Sequence, residues 1–300
     1  MDRVEPHFSI VIPVFNAARH LGPTLDSIRK QGPTGYEVVI VDDGSTDDIT
    51  SVLEAWDLPI VYRRQQNQGP AAARNAGAAV AKGDYLVFLD SDDELESGWL
   101  KEFSRSSVTG AASIHCSVRI VDSRTGDVDV VAASSPRPAF LGATGARLPG
   151  SYAIGRDWFN EVGGFCPGLR YGEHTELWLR LAAAIDFGGG QEVVVPDILI
   201  TKHHDRSPAK VTSYDQMRKD GAEYVLQAHG RLLEGDAPFR SDYHAVAGVA
   251  SIRLGEVTQG RRHLREAARL SRSLRRRVQY LVTCVPILGP AFWRIKARWG

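Results

Sequence analysis

The chain has 300 residues, 43% of them hydrophobic, and its 36 Lys or Arg balance 36 Asp or Glu. That is enough apolar material for a large core, and the zero net charge offers no overall basicity toward a polyanion. The three cysteines, Cys116, Cys166 and Cys284, are odd in number, widely spaced and free of any CxxC pair; this fits a reducing compartment and excludes a disulfide framework or a cysteine zinc site.

In chain order, Phe8 to Val14 reads as a buried strand, too short for a signal peptide and without a small-residue cleavage site. Leu21 to Gln31 has helical spacing, with Leu21, Leu25 and Ile28 on one face. Tyr36 to Val41 is a second apolar run, and GSTDD follows it. There Ser45 or Thr46 caps a helix whose positive end suits Asp47 and Asp48. Ile60 to Tyr62 is a short strand, Pro70 to Ala81 an Ala-rich helix, and Tyr85 to Leu89 a fourth strand. Short strands alternating with helices imply a parallel sheet covered by helices. Ligands of such sheets sit off the carboxyl ends of the strands. Asn16, the pair Asp42 and Asp43, and the pair Asp90 and Asp92 fall at three of those ends, so they converge on one rim. An exposed acidic turn accounts for one such cluster but poorly for three.

Further on, Ile114 to Val121 is a strand, followed by the turn DSRTGD and a loop bearing Pro and Gly. Arg156 to Val162 is a short helix ended by Gly163 and Gly164. Glu173 to Ala184 is another, with Leu177, Leu181 and Ala184 on one face and Trp178 read as core rather than as a sugar platform. Glu192 to Pro196 and Ile198 to Thr201 read as strands. From about Pro208 the pattern is helical, and residues 245–270 resemble a helical hairpin with small residues at the crossing. Residues 261–300 carry eleven Lys or Arg and one acid, a net +10, which leaves −10 on residues 1–260. Arginines beside the apolar YLVTCVPILGPAFW (280–293) suit an anionic membrane surface. That stretch falls short of the ~20 residues that span a bilayer, and no nucleic-acid recognition motif accompanies the arginines.

DSD at 90–92 places two carboxylates one residue apart at a strand end, hard oxygen donors for a divalent cation that bridges nucleotide phosphates. SIVIPVFNAARHLGPTLDSI, YEVVIVDDGSTDD and NQGPAAARNAGAAVAKGDYLVFLDSDD, in this order, with GRDWFNEVGGFCPGLRYGEHTELWLRL downstream, strongly resemble the family-two glycosyltransferases over roughly residues 7–205. The resemblance implies an α/β GT-A fold with a mostly parallel central sheet flanked by helices. The expected domains are residues 1–207 and a C-terminal helical region, 208–300, with a basic amphipathic tail. The activity it implies is metal-dependent, inverting transfer of a sugar from a nucleotide-diphosphate donor to the hydroxyl of a glycan, lipid-linked or small-molecule acceptor. Mn²⁺ or Mg²⁺ is the implied cofactor, and the expected location is cytoplasmic or peripheral on the inner membrane face.

The same resemblance assigns Pro13, Phe15 and Asn16 to the nucleotide pocket and Asp43 to the base, with Asp42 beside it or facing the core. It brings Arg74 to the nucleotide, Asp90 to the ribose and Asp92 to the metal. His204, with His203 second, reaches the metal or the diphosphate, and Asp93 is left to solvent or to capping a helix. Gly150 and Arg180 fall on the acceptor side. The family's general base is usually the aspartate of a Glu-Asp pair ahead of an L-x-x-R segment, whereas this chain reads Glu173-His174. Position favours His174, whose ordinary pKa of about 6.5 suits a base near neutrality. Residue type favours Glu173. If His174 is the base, the rate falls as pH drops through the histidine pKa. Two rival readings are a nucleotidyltransferase, which IPVFNAARH disfavours for want of a Gly-rich basic phosphate loop, and a binding module that has lost its base, which only Glu173-His174 favours.

Overall fold

In a computed structural model, which describes residues 7–133, 148–204, 215–271 and 273–284, β1 (Phe8–Val14) lies inside a nine-stranded sheet. The other strands are β2 (Tyr36–Asp42), β3 (Ile60–Arg64), β4 (Tyr85–Phe88), β5 (Glu94–Leu95), β6 (Ser113–Asp122), β7 (Val128–Val131), β8 (Tyr152–Gly155) and β9 (Glu192–His204). Their order is β3-β2-β1-β4-β8-β6-β9-β5, with β7 on β6. β1 is buried on both faces, as a near-continuous apolar run in a covered sheet must be, and successive side chains reach opposite layers. Phe8, Ile10, Ile12 and Val14 pack on one face with α1 (Leu21–Arg29) and α4 (Trp99–Ser107). Val11 faces the other side, toward α3 (Pro70–Ala78) and α6 (Glu173–Phe187). Helices α2 (Ile49–Glu54) and α5 (Arg156–Glu161) complete the two covering layers. Trp99 and Phe103 are fully buried and stack at 4.6 Å; burial of each such side chain stabilises by about 1.5–3 kcal/mol.

The sheet is less parallel than alternation alone implies. β1, β2, β3 and β4 run parallel, as do β6 and β9. β8 is antiparallel to both β4 and β6, and β5 is antiparallel to β9. Short β5, β7 and β8 carry too few residues to show a period. The two strands expected at 192–196 and 198–201 are one, β9. Its register against β6 shifts around Cys116 to Val118, opposite Pro196, whose missing N–H cannot join the ladder.

The chain divides into two compact units: Met1–Pro136 with Thr144–Gly168 and His174–His204, and Arg137–Ala143 with Leu169–Glu173 and Asp205–Gly300. Residues 169–173 thus group with the helices. The second unit contains α7 (Asp215–Ala228), α8 (Ala237–Arg253), α9 (Val257–Leu270) and α10 (Leu274–Cys284). Asp236 caps α8 by accepting from the Phe239 N–H at 2.9 Å. The expected hairpin is α8 against α9. A Cβ on Gly248 would lie 2.7 Å from Leu264 Cγ, and one on Gly260 2.8 Å from the Gly248 carbonyl oxygen. The crossing therefore needs both glycines. Among the described residues no helix is long and apolar enough to cross a membrane.

Candidate functional site

Because β2, β1 and β4 are adjacent and parallel, their carboxyl ends open on one rim. Pro13 is half-buried near the end of β1 and Phe15 is 52% exposed just beyond it. Asn16 has φ +52, the only positive value at a non-glycine position among the described residues. Asparagine tolerates this conformation, and its Oδ1 repays the strain by accepting from the Thr46 N–H at 2.8 Å and Thr46 Oγ1 at 3.1 Å.

The two acids after β2 diverge. Asp42 is fully buried: it accepts from the Ser45 N–H at 2.7 Å and Tyr62 Oη at 2.9 Å and pairs with Arg64 at 3.0 Å. Burial alone would raise its pKa, but these partners hold it below the usual carboxylate range. The structure thus shows the core-facing alternative, and a place for Asp42 against a nucleotide is set aside because its oxygens are spent inside. Asp43 is also buried. Its Oδ1 takes the Gln65 side-chain amide at 2.8 Å and the Gln68 N–H at 2.9 Å, and its Oδ2 takes the Gly69 N–H at 2.8 Å. It therefore folds the 65–69 loop ahead of α3 and keeps spare acceptor capacity on Oδ2.

After β4 the backbone turns at once, the Asp93 N–H meeting the Asp90 carbonyl at 3.2 Å. Arg74 is not a surface cation of α3. It is 4% exposed, donates to Asp90 Oδ1 at 2.8 Å and lies over the Phe165 ring at 5.6 Å. Asp93 is neither solvated nor a cap. It is 1% exposed, and its Oδ2 pairs with the Lys202 ammonium, which also meets Asp90 Oδ2 at 3.2 Å. The cause is tertiary: antiparallel pairing of Glu94 with Thr201 sets Asp93 beside Lys202. Burial alone would raise Asp90, yet Lys202 and Arg74 outweigh it and hold its carboxyl far below the usual range. Burial pushes Asp93 up to about 7 against the pull of Lys202. Lys202 itself is desolvated, but the two carboxylates raise its pKa, so it stays an ammonium.

Asp90, Asp92 and Asp93 offer ligand oxygens within 4.8 Å of one another. Hard carboxylate oxygens suit Mg²⁺ or Mn²⁺. Lys202 holds one oxygen each of Asp90 and Asp93, whereas Asp92 is exposed and makes no side-chain hydrogen bond or ion pair among the described residues. The donor set fits a divalent cation, with Asp92 as its most open member. His203 bonds Glu94 through Nε2 at 2.8 Å, and the side chain of His204 lies outside the described residues.

His174, on α6, is buried against Tyr152 and Phe165, with ring centroids 5.8 and 5.1 Å away. Its Nδ1 is bonded to Tyr152 Oη, and its buried Nε2 has no hydrogen-bond partner among the described residues. Burial, reinforced by Arg74, drives its pKa well below the ordinary histidine value. The expected loss of rate through an ordinary histidine pKa is corrected accordingly. Glu173 is half-buried and begins α6. Trp178 is 3% exposed, in the core. Gly150 has φ +80, donates to the Phe88 carbonyl at 2.6 Å, and a Cβ there would strike Leu89 at 2.9 Å. Arg180 clasps Glu176 at 2.5 Å and donates to the Val162 carbonyl at 2.5 Å; its guanidinium ties α6 to the end of α5. Lys202 and Tyr152 escape a sequence reading. The sole sequence signal for Lys202 is its place in the alternation Ile198, Ile200, Lys202.

A sheet whose parallel strands end in Asn16, Asp43 and the Asp90–Asp93 turn defines a GT-A glycosyltransferase frame. S. aureus TarS (residues 1–349) shares it over 97% of this chain and 87% of that one, at TM-score 0.63 and 19% identity. So does the mannosyltransferase PcManGT from Pyrobaculum calidifontis, over 98% and 88%, at TM-score 0.58 and 17% identity. At such identities the likeness is one of fold. The model of glycosyl transferase family 2 matches residues 9–168, and the chain belongs to that family. Glycosyltransferase GlyA of Streptococcus pneumoniae is 36% identical over 114 residues, 37% of this chain and 16% of GlyA. An uncharacterized glycosyltransferase of Haemophilus influenzae is 39% identical over 101 residues, 32% of this chain and 40% of that protein. The chain thus spans well under two thirds of the curated relatives it matches.

Proposed function

We propose that the chain transfers a glycosyl group from a nucleotide-diphosphate sugar to a hydroxyl acceptor, with inversion and with Mn²⁺ or Mg²⁺, in glycan or glycoconjugate synthesis. The observation that carries this reading is the meeting of the Asp90–Asp93 turn, Arg74 and Lys202 on one rim in a chain of this family. TarS has been solved with UDP-GlcNAc, and PcManGT with GDP-Man and Mn²⁺; both support a nucleotide-sugar donor. Family membership also favours transfer over nucleotide-sugar synthesis.

Direct displacement asks the protein to neutralise a leaving diphosphate, take a proton from the acceptor and hold both reactants in line. Asp92, with Asp90, would hold the cation, which supplies charge neutralisation when bound. Arg74 and Lys202 add fixed positive charge. Pro13, Phe15 and Asn16 line the nucleoside side, where Asp43 offers its spare Oδ2 capacity to the base. Glu173 is the better general base. A buried imidazole with a depressed pKa gives little driving force for proton transfer, so His174 acts by positioning. Residues 1–207 form the transferase domain and 208–300 the helical region. Residues 261–300 bring the enzyme to an anionic membrane surface from the cytoplasmic side. Leu274, Val278 and Leu281, exposed by 74%, 46% and 59%, share one side of α10 beside Arg275 and Arg277 and support this.

The test is a panel of nucleotide sugars with Mn²⁺ or EDTA, reading nucleoside diphosphate release and the product's anomeric configuration. We expect Mn²⁺-dependent release, a fall of about 10²- to 10⁴-fold in transfer for Glu173→Gln, and a smaller fall for His174→Gln, with donor affinity kept in both. If no nucleotide sugar binds or is cleaved, the reading fails. A larger loss in His174→Gln at intact donor affinity moves the base to His174.

A further inference from the structure

The helical unit contains a cavity of about 370 Å³ that the proposed transfer does not use. Its floor is the small-residue face of α8 around Ala245 and Ala250. Its walls carry Arg218 from α7, Arg253 from α8, and Arg275 and Arg276 from α10. Two acids answer these four cations. Asp215 Oδ1 stands 3.4 Å from Arg253 and 3.9 Å from Arg218, so one carboxylate serves two guanidiniums. Both distances exceed the ~2.7–2.9 Å of a strong charged hydrogen bond. Asp242 pairs with Arg276, which also donates to Gln279 Oε1 at 2.9 Å. Arg275 is exposed and has no acid partner among the described residues.

Arg253 tells most. Its side chain is 15% exposed, and its buried Nε has no hydrogen-bond acceptor among the described residues. A buried N–H normally finds an acceptor, because leaving one unmet is costly. No described residue supplies that acceptor, and an oxyanion seated in the cavity would. Guanidinium groups converging from three helices present planar N–H forks, which match the oxygens of a tetrahedral oxyanion better than ammonium groups do. Among the described lining residues, four arginines against two aspartates leave a surplus of two positive charges, which suits a phosphate.

We infer that this cavity is a binding site for a phosphate-bearing group, carried either by a soluble phosphate ester or by a lipid headgroup. The test is calorimetric titration of the full chain, in EDTA to silence metal-dependent donor binding. The probes are inorganic phosphate, glycerol 3-phosphate, and short-chain phosphatidylglycerol below its micelle concentration. We expect saturable one-to-one binding that weakens at least about tenfold in Arg253→Gln and in Arg275→Gln. Arg275 is exposed, so its variant keeps the fold even if Arg253→Gln, which leaves Asp215 underpaired, does not. Asp92→Ala, altered in the other unit, binds these probes like the parent chain. Lipid binding tighter than glycerol 3-phosphate binding assigns the site to a headgroup, and equal affinities assign it to a soluble ester. If none of the probes binds, or both arginine variants bind as the parent chain does, the inference is overturned.

Discussion

Asp92, in the Asp90–Asp93 turn, and Lys202, on β9 against it, have opposite duties. Asp92 is exposed and makes no side-chain hydrogen bond or ion pair among the described residues. Asp92→Ala should leave the unfolding midpoint unchanged and weaken Mn²⁺-dependent nucleoside diphosphate binding at least about tenfold, or about 1.4 kcal/mol. Calorimetry with Mn²⁺ and with EDTA checks this, and unchanged affinity in Mn²⁺ would remove Asp92 from the metal. Lys202 is structural as well as electrostatic, since from a half-buried position it meets both Asp90 and the buried Asp93. Removing one partner of a buried pair costs about 3–5 kcal/mol, because a charge is stranded. Lys202→Met should lose stability of that order in urea unfolding, and adding Asp93→Asn should recover part of it. A Lys202→Met chain as stable as the parent would show that the ammonium is not needed by the carboxylates.

At the scale of elements, the α8–α9 crossing rests on missing side chains. A Cβ at Gly248 would stand 2.7 Å from Leu264 Cγ and 3.1 Å from the Gly260 carbonyl oxygen. The second is backbone and cannot step aside. Gly248→Ala gains helix propensity, about 1 kcal/mol, but overpacks by about 1–3 kcal/mol. The net expectation is destabilisation, read by urea unfolding. A more stable Gly248→Ala chain would mean that the helices separate easily at this point. The same logic holds β9 to β6: the shift opposite Pro196 lets one strand continue where two were expected, and Ser117 Oγ donates to the Pro196 carbonyl at 2.8 Å.

At the scale of the whole molecule, one part of the response of stability to acid comes from the helical unit. His244 of α8 and His263 of α9 meet Nδ1 to Nδ1 at 3.0 Å, and His263 Nε2 lies 3.2 Å from Glu223 of α7. Burial, with His263 alongside, pushes His244 down to about 4, and burial lowers His263 as well. Unfolding returns both toward about 6.5. Between pH 6.5 and 4 the unfolded chain therefore binds more protons than the folded one, and stability falls as pH drops through that window. The melting temperature should be flat with respect to these histidines above pH 7 and decline below 6.5, less steeply in His244→Asn. An equal decline in that variant would remove His244 as the cause.

The order of residues determined by itself the four parallel strands β1 to β4, the helices between them and the rim at their ends, but not β5, β7 or α4. Near-continuous apolar runs such as FSIVIPV can bury both faces only in a covered sheet, and acids placed directly after such runs must emerge at strand ends. It also carried the resemblance to the family, in stretches such as VDDGS and LDSDD, and the family model over residues 9–168 bears that out. What it left open depended on contacts between distant segments. Asp42 and Asp43 are identical in type and adjacent, and only Ser45, Tyr62 and Arg64 on one side and Gln65 to Gly69 on the other decide which carboxylate is wholly consumed. Asp93 looks solvated until β5 pairs with β9 and brings Lys202, 109 residues later, onto it. His174 looks like a neutral-pH base until Tyr152 and Phe165 bury it. Desolvation and ion pairing depend on what lies within a few ångströms in space, and a linear pattern carries that information only for neighbours in the chain.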